Sequence, residues 1–148
     1  MYQTPEAAAS TIGFTMGYGY AIRAVPPQGK TPEAVERQIS LDEQIIASPS
    51  LQPTFRQHWR KGYHCWHIQQ IAYSYIESTF PGQQFVCGET RQQGDDEHSP
   101  WRCEFLVEDP ASGQKVPYRM HTHWVTEVEG IAVNWWMIST LEKKENAL

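Results

Sequence analysis

Between Tyr63 and Thr79, apolar residues recur at helical spacing: turned by about 100° per residue, Cys65, Ile68, Ile71, Ala72, Tyr75, Ile76 and Thr79 share one face. The run predicts an amphipathic helix ended by Pro81-Gly82, and Trp66 and Tyr73 on its back predict that this side is covered as well. Beyond Gly82 the period shortens to that of a strand. Phe85 and Cys87 alternate with polar neighbours over Gln83 to Glu89, and Trp101, Cys103, Phe105 and Val107 do so over 101–108. Val116 to Val128 and Ile131 to Leu141 follow, separated by turn residues at Asp109-Pro110-Ala111-Ser112-Gly113 and Glu129-Gly130. Four strands joined in this way predict an antiparallel meander.

Upstream, the pattern is helical. Thr4-Pro5-Glu6 and Thr31-Pro32-Glu33 each combine a capping Thr, a Pro suited to the first helical position and an acid in the first turn. The second start opens a helix from Pro32 to about Ala47 that contacts its surroundings through Val35, Ile39, Ile45 and Ile46; Ser40-Leu41-Asp42-Glu43 has the form of a capping box and allows a restart. A short helix is expected from Pro53 to Gly62. Gly13, Gly17 and Gly19 interrupt the aromatic stretch of Phe14, Tyr18 and Tyr20, and Pro26-Pro27-Gln28-Gly29 closes it, so residues 1–30 receive no assignment. The expectation is one α+β domain over residues 1–148, helical over 31–80, stranded over 83–141, with a polar tail from 142.

Composition excludes more than it specifies. A chain of 148 residues with 40% hydrophobic content can bury a core without staples. The net charge of -5 and the lack of a lysine or arginine stripe oppose nucleic-acid binding. No apolar stretch reaches the roughly 18 residues that suggest a membrane span. Three cysteines, Cys65, Cys87 and Cys103, without CxxC spacing, fit a reducing cytoplasm. Alternating with the aromatics of their strands, Cys87 and Cys103 read as core residues.

The candidate chemistry lies in two histidine pairs, His64 with His67 and His121 with His123. Converging, they would supply four nitrogen ligands to a first-row metal. Alternation argues against convergence. In Tyr118 to Val128, Met120, Thr122 and Trp124 take one face, while His121, His123 and Val125 take the other. A two-residue turn at Glu129-Gly130 would pair Trp124 with Trp135 and Thr122 with Met137, and would set His123 opposite Trp136 and Val125 opposite Asn134. The first set is the more apolar and is expected to pack on the helix.

The order of elements, helices first, then one long amphipathic helix, then a four-stranded meander, resembles the cystatin-like group and, within it, the NTF2-like cone-shaped domains, over Thr31 to Leu141. The resemblance implies a curved sheet wrapped over the helices, an apolar pocket at the wide end and dimerisation through the sheet. Its members include isomerases, dehydratases, epoxide hydrolases and noncatalytic binders, so fold alone does not choose a function. The first expectation is a cytoplasmic protein that binds a small apolar molecule in a pocket lined by Tyr75, Phe105, Met120, Trp124, Trp135 and Met137. His64 would be its general base if it is an enzyme, with no cofactor. The alternatives are a noncatalytic homodimer or partner-binding protein acting through His121, His123, Val125, Asn134 and Trp136, and a metal site of His64, His67, His121 and His123.

Overall fold

The computed structural model describes residues 4–24 and 31–144. Its elements are α1 (Pro5–Arg23), α2 (Pro32–Asp42), single 3-10 turns at Glu43–Ile45 and Pro49–Leu51, α3 (Gln52–Thr79), β1 (Phe85–Gln92), β2 (Trp101–Glu108), β3 (Lys115–Val128) and β4 (Ile131–Lys143). The fold class is therefore α+β, with three helices, one of them long, and a four-stranded antiparallel sheet. The chain forms two compact units, Met1–His67 and Ile68–Leu148, whose boundary falls inside α3. No described helix is long and apolar enough to cross a membrane. The Pro26-Pro27-Gln28-Gly29 stop and the end of the polar tail lie outside the described residues.

Both Thr-Pro-Glu starts are helix N-termini. Thr4 Oγ1 accepts from the Ala7 amide at 3.1 Å and Thr31 Oγ1 from the Ala34 amide at 3.2 Å, each satisfying a donor that the first turn leaves open. The unassigned N-terminal stretch is α1. Its glycines are not breaks, because Ala9, Gly13, Gly17 and Ala21 form a buried stripe at four-residue spacing. A Cβ at Gly13 would lie 2.5 Å from the Phe55 carbonyl oxygen, and one at Gly17 would overlap that of Trp59. Backbone meets backbone here.

The same contact corrects the expected break at Gly62. Residues 52–79 form one helix, roughly 42 Å long at the standard rise. Gly62 sits inside it because a Cβ there would overlap the Phe14 carbonyl oxygen of α1. The helix predicted from Pro32 to Ala47 instead stops at Asp42. The Asp42 side chain is buried, accepting from Trp59 Nε1 at 2.9 Å and from Gln38 Nε2 at 2.8 Å. Arg56 pairs with Glu36 and Glu43, both at 2.7 Å, and adds polar ties between α2 and α3.

In the second unit the strands lie in sequence order, β1-β2-β3-β4, each pair antiparallel. Trp101, Cys103, Phe105 and Val107 are buried and define an inner face, with Thr122, Met120, Tyr118 and Val116 opposite them on β3. The end of α3 and the residue that follows it contact this face: the Tyr73 ring lies 5.7 Å from Phe85 and the Phe80 ring 5.1 Å from Tyr118.

The β3-β4 register departs from the expected one. Val128 pairs with Ile131 and Glu127 with Ala132, as a two-residue Glu129-Gly130 turn requires, but Trp124 then pairs with Trp136 and Val125 with Trp135. One extra residue has entered β4 at Asn134, whose φ of 50° places it in the left-handed region that Asn tolerates. Each side chain beyond it changes face. A second irregularity follows, where His121 pairs with Thr140 and Thr122 with Ile138.

Candidate functional site

The bulge rearranges the candidate residues. Trp136, expected on the outer face, is buried against Trp101 and Trp124, with ring centroids at 6.5 Å and 5.2 Å. Met137, expected in the pocket, is 42% exposed and lies opposite His123. Trp135 now pairs with Val125, although its ring still lies 6.2 Å from that of Trp124. The alternation of β3 was legible, whereas a single inserted residue in β4 was not. Of the pocket residues, Phe105, Met120 and Trp124 therefore share the inner face, and Tyr75 is half-buried on α3. Of the interface residues, His121, His123 and Val125 share the outer face, and Asn134 is exposed at the bulge.

At the Trp124 end of the inner face the structure adds a residue that the sequence reading missed. His98 stacks on Trp124 with ring centroids 3.9 Å apart and planes within 9°. It comes from the β1-β2 connection, which is internally bonded. The Gln92 side-chain Nε2 donates to the carbonyls of Asp96, Glu97 and Ser99 at 3.0 to 3.1 Å, and the Gln93 backbone N–H to that of Pro100 at 2.7 Å. The only signal for this in sequence was a Gln-, Asp- and Gly-rich loop, which says nothing about where its one imidazole lands.

Beside this cluster, Trp101 and Thr122 face each other across β2 and β3, and both are buried. Trp101 Nε1 and Thr122 Oγ1 have no hydrogen-bond partner among the described residues. A buried indole N–H or hydroxyl left unpaired costs roughly 1–3 kcal/mol, so two neighbouring ones are unusual in a core. Cys103 and Cys87 lie on the same face. The Cys87 thiol is held below the ordinary range, at about 7, by its hydrogen bond with Cys103, against burial and with help from Tyr73.

The first histidine pair belongs to the other unit. His64 and His67 are buried around Tyr63, edge-on to its ring at 5.4 Å and 4.6 Å. Tyr63 stacks in turn on Trp59 at 5.7 Å. Burial pushes the Tyr63 phenol up to about 12, with Tyr20 adding to it, and pushes the Cys65 thiol up to about 11. These groups stay protonated at neutral pH.

The outer face is polar at one end and apolar at the other. Glu104 gathers Arg119 and Lys144, both at 3.2 Å, and His121 Nε2 lies 3.9 Å from Glu142. At the other end stand Val125, Trp135 and Met137, while Val128 and the 71% exposed Ile131, paired at the hairpin tip, occupy the alternate positions of their strands. Among the described residues, no three His, Cys, Asp or Glu side chains are grouped to hold a metal ion. No family model, no curated protein and no solved structure matches this chain.

Proposed function

We propose that this chain binds a small, largely apolar molecule against the inner face of its sheet, and that a hydrogen-bonding group on that molecule engages Trp101 Nε1 and Thr122 Oγ1. The observation that carries the reading is that pair of buried, unpartnered polar atoms, set on adjacent strands. Apolar walls with a few convergent polar groups are what a small-molecule site requires. Met120, Phe105, Trp124 and Trp136 supply the walls. A ligand oxygen could accept from the indole and either accept from or donate to the hydroxyl. The order of elements supports an NTF2-like arrangement, in which such sites are common. Cys65, Cys87 and Cys103, none of them in a disulfide, fit a reducing compartment such as the cytoplasm.

The test uses the six Trp indole N–H signals of the 15N-labelled protein, titrated with phenol, cyclohexanone and indole as probes. Saturable movement of the Trp101 signal, lost in Thr122→Val, is the expected result. If none of the probes moves it while other indoles respond, the polar pair is not a binding site.

A second reading is favoured by the exposed apolar end of the outer face. There Val125, Trp135 and Met137 offer a patch through which the chain would form a homodimer and act without catalysis. Sedimentation equilibrium decides it: Met137→Asp with Val125→Asp should convert a dimer to a monomer, and a wild-type chain that is already monomeric at high concentration rejects it.

A further inference from the structure

We propose that Cys87 and Cys103 are an oxidation-responsive thiol pair, which a peroxide converts into a disulfide joining β1 to β2. Sequence spacing concealed the pair, because the two cysteines are separated by the whole β1-β2 connection. The fold brings them to neighbouring positions on the inner face: Cys87 lies opposite Phe105, and Cys103 opposite Thr90. Such diagonal neighbours are usually too far apart for a disulfide. Here the ladder is irregular between Cys87 and Thr90, so the ordinary diagonal spacing does not apply, and the Cys103 thiol is near enough to favour the Cys87 thiolate.

Accessibility divides the labour between them. Cys87 is half-buried and Cys103 fully buried, so a small oxidant in solution reaches Cys87 first. Donors to the Cys87 sulfur stabilise its thiolate, which is the reactive form. The Cys103 thiol and the Tyr73 side chain both act on Cys87 in that direction. Thr90 Oγ1, 3.4 Å from Cys103 Sγ, can hold that second thiol in place. Cys65 is a poor candidate because burial keeps its thiol protonated.

The chemistry closes in two steps. The Cys87 thiolate attacks one peroxide oxygen, the O–O bond breaks, and hydrogen peroxide leaves a sulfenic acid on Cys87 and hydroxide, which takes up the Cys103 proton to give water. The Cys103 thiolate then attacks the Cys87 sulfur, the S–O bond breaks, and the hydroxyl departs as a second water with one further proton. Two thiols are oxidised and one peroxide is reduced to two waters.

The experiment uses the full chain carrying Cys65→Ser, since trypsin leaves Cys65 and Cys87 in one peptide while Arg91 and Arg102 separate Cys87 from Cys103. Hydrogen peroxide should lower the intact mass by about 2 Da and link the peptide containing Cys87 to the peptide containing Cys103 within one molecule. In Cys87→Ser the mass loss should vanish. In Cys103→Ser the reaction should stop at a sulfenic acid on Cys87 that dimedone traps. Tyr73→Phe should slow oxidation at pH 7 several-fold. Because Cys103 is fully buried and its variant can misfold, the linkage map of the Cys65→Ser chain decides on its own. A disulfide found only between molecules, or only after denaturation in urea, overturns the proposal.

Discussion

Replacing Gly13 with alanine adds one methyl group where α1 meets the backbone of α3. The new Cβ would stand 2.5 Å from the Phe55 carbonyl oxygen, against about 3.4 Å for an ordinary contact, so the two helices must part by something near 0.9 Å. In an exposed helix the same change gains about 1 kcal/mol of helix propensity. At this contact it is opposed by overpacking of roughly 1–3 kcal/mol, and the helices' separation forfeits part of the dispersion attraction along the whole stripe from Ala9 to Ala21. The expected net effect is destabilisation by about 1–2 kcal/mol, which lowers Tm by roughly 3–8 °C for a chain of this size. Gly19→Ala in the same helix supplies the control, since its Cβ meets only Arg23 Nη1, at 3.7 Å. That variant should be more stable by about 0.5–1 kcal/mol. Urea denaturation followed by circular dichroism measures both, read at the midpoint with an unchanged slope. Two variants that shift in the same upward direction would refute the backbone contact, because propensity alone would then explain them.

Other outcomes follow from single contacts. Asp42→Ala strips the Trp59 indole of its acceptor and should cost about 1–3 kcal/mol in the same assay, whereas a surface carboxylate would cost almost nothing. Glu129→Asn should stabilise the hairpin by about 0.5–1 kcal/mol, because Glu129 has a φ of 51° and an Asn-Gly pair suits that turn; a loss of stability would contradict the assigned backbone. Glu104 is pushed up by partial burial, but Lys144 and Arg119 outweigh this and hold its carboxyl below the usual range. Its contribution to stability is therefore present above the unfolded-state value and lost as pH falls through the lowered folded one. Lys144→Ala should raise the Glu104 midpoint seen by NMR, and an unmoved midpoint would dissolve the ion pair.

Much of the fold was legible because it rests on periodicity and caps. Alternation marked Trp101 to Val107 as a strand with one buried face, and two Thr-Pro-Glu starts marked α1 and α2. What escaped depends on contacts distant in sequence. Gly13, Gly17 and Gly62 look like helix breakers until another backbone is placed against them. Asn134 looks like any strand residue until its left-handed φ inserts it as a bulge and exchanges Trp135 with Trp136. The candidate site suffered most, since pocket and interface assignments on β4 were inherited from a register one residue out. His98 and the Trp101-Thr122 pair became visible only when strands and loop were brought together.

The irregularities in β4 also bear on how copies of the chain can meet. β4 is an edge strand, and a long, flat edge is an open template for another strand. Its thirteen residues are broken at Asn134 and again near Ser139, whose hydroxyl donates to the His121 carbonyl. No straight run is left along which a neighbour's strand could zip for its full length. The bulges thus guard against runaway sheet extension into fibres, and self-association, where it occurs, is directed to the side chains of a face, where it can close as a dimer.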